Sequence, residues 1–419
     1  MKRRHFNQLA LASLILPGAW RNIARAASAP RVVVVGAGFA GATVAKYLRI
    51  WSHNSIEVIL VEPGRAFVSC PVSNLVLGGS RQMQDITHSY NELIKRYGIQ
   101  LMQASVSAID TAQRQLRLDD GATLRYDKLV LAPGISFDYS RLNAMAGVPL
   151  QERFLHAWKA GVQTLALQQQ LQAMRDGGVF AITIPALPYR CPPGPYERAC
   201  QVAYYLKRHK PRSKVLVLDA NPAITSKRAL FERAWAELYP GIVEYHASSD
   251  LNAIDPDRQT LNTTFERVKF DVLNLIPPQT ASRLALDNGL GNAGGRWCDV
   301  DYVTYESRQA RHVHILGDAL DSGLPKSAHI ATSEAKVCAS AIIALLAGEA
   351  PDPAPVFANT CYSYVSAEEA MHVANVYRFD AASREMKPAP GGGVSQARSA
   401  SEVQEARSWA VNIWHDVLG

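Results

Sequence analysis

Two groups of residues have types and spacings that can do chemistry. The first is GAGFAG, which sets Gly36, Gly38 and Gly41 in G-x-G-x-x-G spacing, with Glu62 following 21 positions after the last glycine. In this pattern the first glycine permits a tight turn and the second lets the backbone approach a pyrophosphate. The third lets a helix pack on a strand, and the helix N-terminus attracts phosphate charge. A carboxylate at the next strand end accepts hydrogen bonds from an adenosine ribose. The second group is ALPYRCPPGPYER at 186–198, where Cys191 sits among prolines. A thiol can serve as nucleophile, disulfide partner or metal ligand. No Cys-x-x-Cys pair or Cys/His cluster has zinc spacing, so no metal is expected.

The elements that must position these residues are legible around them. RVVVV (31–35) reads as a buried strand before the glycines, Ala42, Ala45 and Leu48 as a helix after them, and IEVILVEP (56–63) as the strand that ends on Glu62. YDKLVLAPGIS (126–136) is a strand running into Pro133 and Gly134, and HVHILGDAL (312–320) a strand ending at Gly317–Asp318. A strand-borne Gly-Asp near the C-terminal end suits an FAD domain, where the Asp reaches the ribityl and pyrophosphate groups. Between these segments VFAITIP (179–185) and KVLVLDA (214–220) flank ERACQVAYYLKRHK, a second nucleotide-binding plan. Here the first strand leads not to glycines but to prolines 185, 188, 192, 193 and 195, which have no N–H to offer a phosphate. The sequence therefore predicts that NAD(P)H is not used.

The expected fold is α/β: two Rossmann-like dinucleotide-binding domains of the disulfide reductase type plus a C-terminal α+β interface domain. The expected limits are 30–145 with 275–345 for the FAD domain, 146–274 for the second domain without a phosphate loop, and 346–419 for the C-terminal domain. Residues 1–29 read as an export signal. They run from a basic start through the apolar Leu9–Leu16 to small residues at 27–29, and Arg3–Arg4 with Phe6 and Leu9 match the twin-arginine pattern. That route delivers folded, cofactor-loaded protein to the periplasm. The five basic residues of this segment account for most of the +7 formal charge, leaving +2 for the body, so nothing argues for nucleic acid. No stretch after it reads as a transmembrane span.

RCPPGPYERA (190–199), NLIPPQ (274–279), GDALDSGLPKSA (317–328), NTCYS (359–363) and the terminal WHDVLG (414–419) resemble the flavoprotein subunit of flavocytochrome c sulfide dehydrogenase and related sulfide-oxidising flavoproteins. The likeness runs through nearly all of the chain after the export segment. It departs at SCPVSN (69–74), where a proline follows Cys70, and at Cys200, which follows Ala199.

The resemblance implies that Cys191 and Cys361 form a redox-active disulfide facing FAD, that Cys70 carries the flavin as an 8α-thioether, and that Trp409 lies near the flavin ring. Gly36, Gly38, Gly41, Glu62, Pro133, Gly134 and Asp318 become FAD contacts. Lys326 stands where a cation could steady reduced-flavin charge. Each has a plainer alternative. The disulfide can be an inert bridge, Cys70 a buried small hydrophobe, Lys326 a surface lysine and Trp409 packing. Glu197 is either a base for Cys191 or an acid that stabilises a helix start. Cys200, Cys298 and Cys338 read as core. In the implied chemistry hydrosulfide attacks the disulfide, a persulfide forms, and two electrons reach FAD. They then leave singly to a haem c on a separate cytochrome subunit in a heterodimer, since this chain has no Cys-x-x-Cys-His. Two rivals stand beside it: a sulfide:quinone oxidoreductase, and a non-catalytic flavoprotein partner of a sulfur-oxidising complex.

Overall fold

Runs of valine flanked by glycine turns make the first layer. A computed structural model describes residues 29–419; the export signal expected at 1–29 lies, but for Ala29, outside the described residues. Arg31–Val35 is the central strand of a five-stranded parallel sheet. It pairs in register with Glu57–Val61 on one side and Lys128–Leu131 on the other, and the sheet continues to Gln100–Met102 and Val313–Ile315 at its two edges. Val32, Val33 and Val34 are fully buried. β-branched residues suit a parallel strand covered on both faces. Helix Phe39–Trp51 follows the first strand and packs against helix Ala328–Ala347.

Crossing to the second domain, strands Val179–Ile184, Lys214–Asp219, Val243–His246 and Val272–Leu275 form a second parallel sheet. Helix Gly194–His209 connects its first two strands. The fold class is therefore the expected one, with two parallel-sheet dinucleotide-binding units. The C-terminal part is antiparallel: Val356–Tyr364 pairs with Ala370–Asp380, which pairs with Glu385–Pro388, and helix Ala400–Leu418 covers this layer.

One expectation needs correction. A segment of this chain is long and apolar enough to cross a membrane: helix Ala328–Ala347. Half of its apolar window is buried inside the fold, where it packs on helix Phe39–Trp51 and strand Val356–Tyr364, so the apolarity is that of a core helix. The same helix runs through the expected boundary at 345.

The glycine loop shows why its spacing is needed. A Cβ on Gly41 would lie 1.7 Å from the Gly36 carbonyl oxygen, and Gly36 itself has φ +92°. Both are backbone encounters that no rotamer change relieves. Gly41→Ala should therefore cost at least about 1–3 kcal/mol of overpacking and lower flavin retention. Thermal denaturation and the flavin-to-protein absorbance ratio measure both. An unchanged melting temperature with full flavin would mean that the close approach is not required.

Candidate functional site

The two domains and the C-terminal layer enclose a cavity of about 610 Å³, within the range of built ligand sites. One end is the glycine loop. A Cβ on Gly38 would meet nothing within 4 Å, so this position is open toward the cavity. Helix Phe39–Trp51 starts there without a side-chain cap and without an acid in its first turn. Its positive end is thus left for an anion. Glu62 borders the same end and accepts hydrogen bonds from the N–H groups of Ala37 (2.8 Å) and Gly64 (2.7 Å). Pro133 and Gly134 (φ +67°) form the adjoining wall, and Asp318 lies on the one-turn helix Gly317–Ala319 with Arg190 Nε at 3.9 Å. An uncapped helix start beside the glycine loop, with Glu62 at the following strand end, fits FAD.

Thiols line the same cavity. Cys70, Cys191 and Cys361 all line the cavity and are half-buried, whereas Cys200, Cys298 and Cys338 are buried elsewhere. Cys70 sits in a tight turn in which its carbonyl accepts from Ser73 N (3.1 Å) and Ser73 Oγ (2.6 Å), and its thiol neighbours Arg190. Cys191 has φ +58°, a left-handed conformation costly for a side chain with a Cβ. The conformation is held by Cys191 N donating to Lys326 O and Gly194 N donating to Cys191 O, both at 2.8 Å. Burial pushes the Cys191 thiol up, with the charges of Cys361 and Glu197 adding to it and Lys227 opposing. Cys361, on strand Val356–Tyr364, is also pushed up by burial, and Lys227 is the main opposing influence.

The disulfide expected between Cys191 and Cys361 is not formed in this structure, which holds both as free thiols. Both line the same cavity, and after burial Cys361 is the largest influence on the Cys191 thiol, so the structure brings the expected pair together in its dithiol form.

Glu197 lies in the first turn of helix Gly194–His209 and is buried. Its carboxylate accepts from Asn74 Nδ2 (2.8 Å) and from Tyr364 N (2.9 Å), and burial pushes it above the ordinary carboxylate range. Trp409 lines the cavity with Tyr362 and His329 as ring neighbours. Lys326 borders it too, but its ammonium donates to Leu320 O and lies 3.9 Å over the Trp297 ring. Several residues of the site carried no sequence signal of their own. Asn74 and Arg198 build the hydrogen-bond network around Glu197, Arg190 neighbours Cys70, and Lys227 is brought in from a distant loop. Arg190 and Arg198 lie in the RCPPGPYERA run, which was legible as a run and not residue by residue. Off the cavity, His372, Glu402 and Glu405 cluster, with His372 Nδ1 bonded to the Glu402 carboxylate at 2.8 Å.

Family models match three segments. Residues 30–174 match the pyridine nucleotide-disulphide oxidoreductases. Residues 164–277 match the central part of the sulfide dehydrogenase (flavocytochrome c) flavoprotein chain, and 353–418 the flavocytochrome c sulphide dehydrogenase flavin-binding family. The chain is 22% identical over 328 residues to the mitochondrial sulfide:quinone oxidoreductase of Dictyostelium discoideum, covering 75% of this chain and 70% of that one. It is 65% identical over 46 residues to the sulfide dehydrogenase (flavocytochrome c) flavoprotein chain of Chlorobaculum thiosulfatiphilum, 11% of this chain and 94% of that one. The crystal structure of the sulfide:quinone oxidoreductase from Aquifex aeolicus superposes with a TM-score of 0.76 at 17% identity, over 93% of this chain and 91% of that one.

The chain belongs to the sulfide-oxidising flavoprotein superfamily of sulfide:quinone oxidoreductases and flavocytochrome c sulfide dehydrogenases. It is a flavin-dependent oxidoreductase of sulfide oxidation.

The exclusion of NAD(P)H does not stand. Structures of this fold include an NAD-dependent persulfide reductase from A. fulgidus (TM-score 0.61, 16% identity, 91% of this chain and 76% of that one) and an engineered water-forming NADPH oxidase bound to NADPH (0.58, 15%, 92% and 91%). The prolines at 185–195 remove donors from one loop only. The parallel sheet and the helix N-terminus at Gly194 remain as in the reductase plan, so a proline count cannot exclude a nicotinamide cofactor from this superfamily member.

A second buried carboxylate supports the flavin end. Glu334, on helix Ala328–Ala347, accepts from Gly317 N (2.8 Å) beside Asp318, and burial pushes it up to about 8 from an ordinary 4.5. Between these values the folded chain keeps a proton that the unfolded chain releases. Glu334 should thus make stability fall as pH rises from 4.5 to 8 and then level off. Glu334→Gln should lose that part of the slope. Urea-unfolding midpoints of both proteins across this pH range read it directly, and parallel curves would count against a protonated Glu334.

Proposed function

We propose that this chain oxidises hydrosulfide at Cys191 and Cys361 and delivers the electrons to a quinone. The observation that carries the reading is one cavity lined both by the dinucleotide loop and by the two thiols. The quinone is supported by likeness to sulfide:quinone oxidoreductases along most of the chain, in sequence and in fold. A second reading, with a c-type cytochrome as acceptor, is favoured by the flavocytochrome c family matches at 164–277 and 353–418.

In the proposed chemistry the oxidised Cys191–Cys361 pair is the electrophile. Hydrosulfide bonds to one sulfur, the S–S bond breaks, and the other cysteine leaves with the bonding pair as a thiolate; the product is a cysteine persulfide. Bound FAD would supply the electron-pair acceptor for this step. Gly36, Gly38 and Gly41 would hold its phosphates, Glu62 its ribose and Asp318 its ribityl side, with Pro133, Gly134 and Trp409 lining the rest of the site. Lys326 and Arg190 supply positive charge near Asp318. Glu197 orders Asn74 and the Tyr364 backbone behind the thiols. Cys70 is the residue for a thioether to the flavin. The Arg3–Arg4 segment would export the loaded protein to the periplasm.

The acceptor is tested by reducing the protein anaerobically with sodium hydrosulfide and mixing it with decylubiquinone or with cytochrome c, NADH replacing sulfide in a separate arm. Sulfide should bleach the flavin band and decylubiquinone should restore it. Restoration by cytochrome c alone would move the acceptor to the second reading. No bleaching by sulfide would end the sulfide reading.

Cys191→Ser should abolish bleaching by sulfide with the flavin retained, because serine offers no electrophilic sulfur. Cys361→Ser should do the same, and the double variant should be no worse, since each removes the same bond. An inert bridge would instead cost each variant about 2–5 kcal/mol of stability with turnover per folded flavin unchanged. Cys70→Ala should shift the yellow colour from the acid-precipitated pellet to the supernatant while the native protein still binds FAD. Free FAD released from the unsubstituted protein would remove the thioether.

A further inference from the structure

Lys227 breaks three local rules at once. It is buried (7% exposed), although an ammonium is costly to desolvate. It is in the left-handed region (φ +54°) without being glycine. It also caps the N-terminus of helix Arg228–Leu238, where the helix dipole disfavours a cation. Nothing in local structure repays these terms. Among the described residues Lys227 makes no ion pair, and its ammonium donates one hydrogen bond, to the backbone oxygen of Cys361 at 3.0 Å. A buried cation whose one bond runs to a neutral carbonyl needs a counter-charge nearby.

The groups that face it supply candidates. Burial pushes the Lys227 ammonium down; against it Cys361 is the strongest favourable neighbour of the charge, followed by Glu197, Cys191 and Glu402. Glu197 already accepts two hydrogen bonds from elsewhere. Around Cys361 the other influences are the Ser327 hydroxyl, which also favours the thiolate, and Glu197, which opposes it; Tyr377 is close enough to feel the thiolate itself.

We propose that Lys227 is a positioning residue whose charge stabilises the Cys361 thiolate when the bond of the cysteine pair breaks, so that Cys361 leaves and Cys191 carries the persulfide. The assignment rests on the sulfide reading for its use and on geometry for its existence. In the step it serves, HS⁻ adds to Cys191 Sγ, the S–S bond breaks, and its electron pair departs on Cys361. Charge is conserved, and the negative charge ends beside Lys227. Leaving-group thiols depart faster when the thiolate is stabilised, and here the stabilising cation is set on the Cys361 side.

The test is the pH dependence of iodoacetamide alkylation at each cysteine in the full-length, flavin-loaded, dithiol protein, read site by site by mass spectrometry. Lys227→Gln keeps a donor for the Cys361 carbonyl and removes the charge. It should raise the midpoint for Cys361 by about one pH unit or more, a tenfold loss of reactivity below the midpoint, and move Cys191 less. Lys227→Arg should restore the Cys361 midpoint. An unshifted Cys361 midpoint in folded Lys227→Gln would overturn the proposal, as would a larger shift at Cys191. If Lys227→Gln does not accumulate, the comparison of Lys227→Arg with Lys227→Met decides it in the same way. The outcome is separable from the sulfide reading: a Cys361 shift in a protein whose flavin sulfide never bleaches leaves the electrostatic role standing and removes its use.

Discussion

The Glu197 carboxylate is shared by three parts of the chain. It belongs to the second domain's first helix, takes Asn74 Nδ2 from the flavin domain, and takes Tyr364 N from the C-terminal strand that also carries Cys361. Arg198, one residue on, extends the tie. It donates to Asn74 Oδ1, to Asn274 Oδ1, and to the carbonyls of His156 and Ala157. All of this is buried, so each group depends on the others for its hydrogen bonds; leaving one buried partner unsatisfied costs about 1–3 kcal/mol, and more where it is charged. The cavity exists because these three layers meet, and the network is what fixes how they meet. Burial raises the Glu197 carboxyl and pulls the Arg198 guanidinium down to about 10, as expected of charges held in place by geometry and not by solvent.

Much of this was legible in the sequence where the relevant contacts are local. The glycine loop announces itself because the turn, the close approach and the helix start fall within six residues. Glu62 followed from the length of one strand–helix–strand unit. Cys191 stood out because prolines surround it. Other parts of the site depend on topology. Lys227 looks like any surface lysine until the loop before helix Arg228–Leu238 is laid against strand Val356–Tyr364. Asn74 and Glu334 are ordinary polar residues until the domains close over them. One physical reading misled because a local property was extended to the whole: the prolines describe one loop and not the fold's capacity for nicotinamide. The apolar run Ala328–Ala347 was overlooked; it is a helix buried against another helix and a strand.

The positions of strain explain why the thiols stand where they do. Both Cys191 and Lys227 are non-glycine residues held at positive φ. Cys191 is clamped through the backbone, by Lys326 O on one side and by Gly194 N on the other, with the Arg190 carbonyl before it fixed by Trp158 Nε1 at 3.0 Å. The clamp aims a thiol at the cavity while its chain direction is already committed to helix Gly194–His209. Gly194 must be glycine for this, since a Cβ there would lie 2.9 Å from both Cys191 Sγ and the Trp158 ring. The proline cage thus acts through stiffness. With φ fixed at three of the five positions 191–195, the loop loses little entropy on folding and cannot relax away from the strained cysteine. A thiol so held keeps its place at the cavity, which is what the proposed dithiol–disulfide cycle with Cys361 would require.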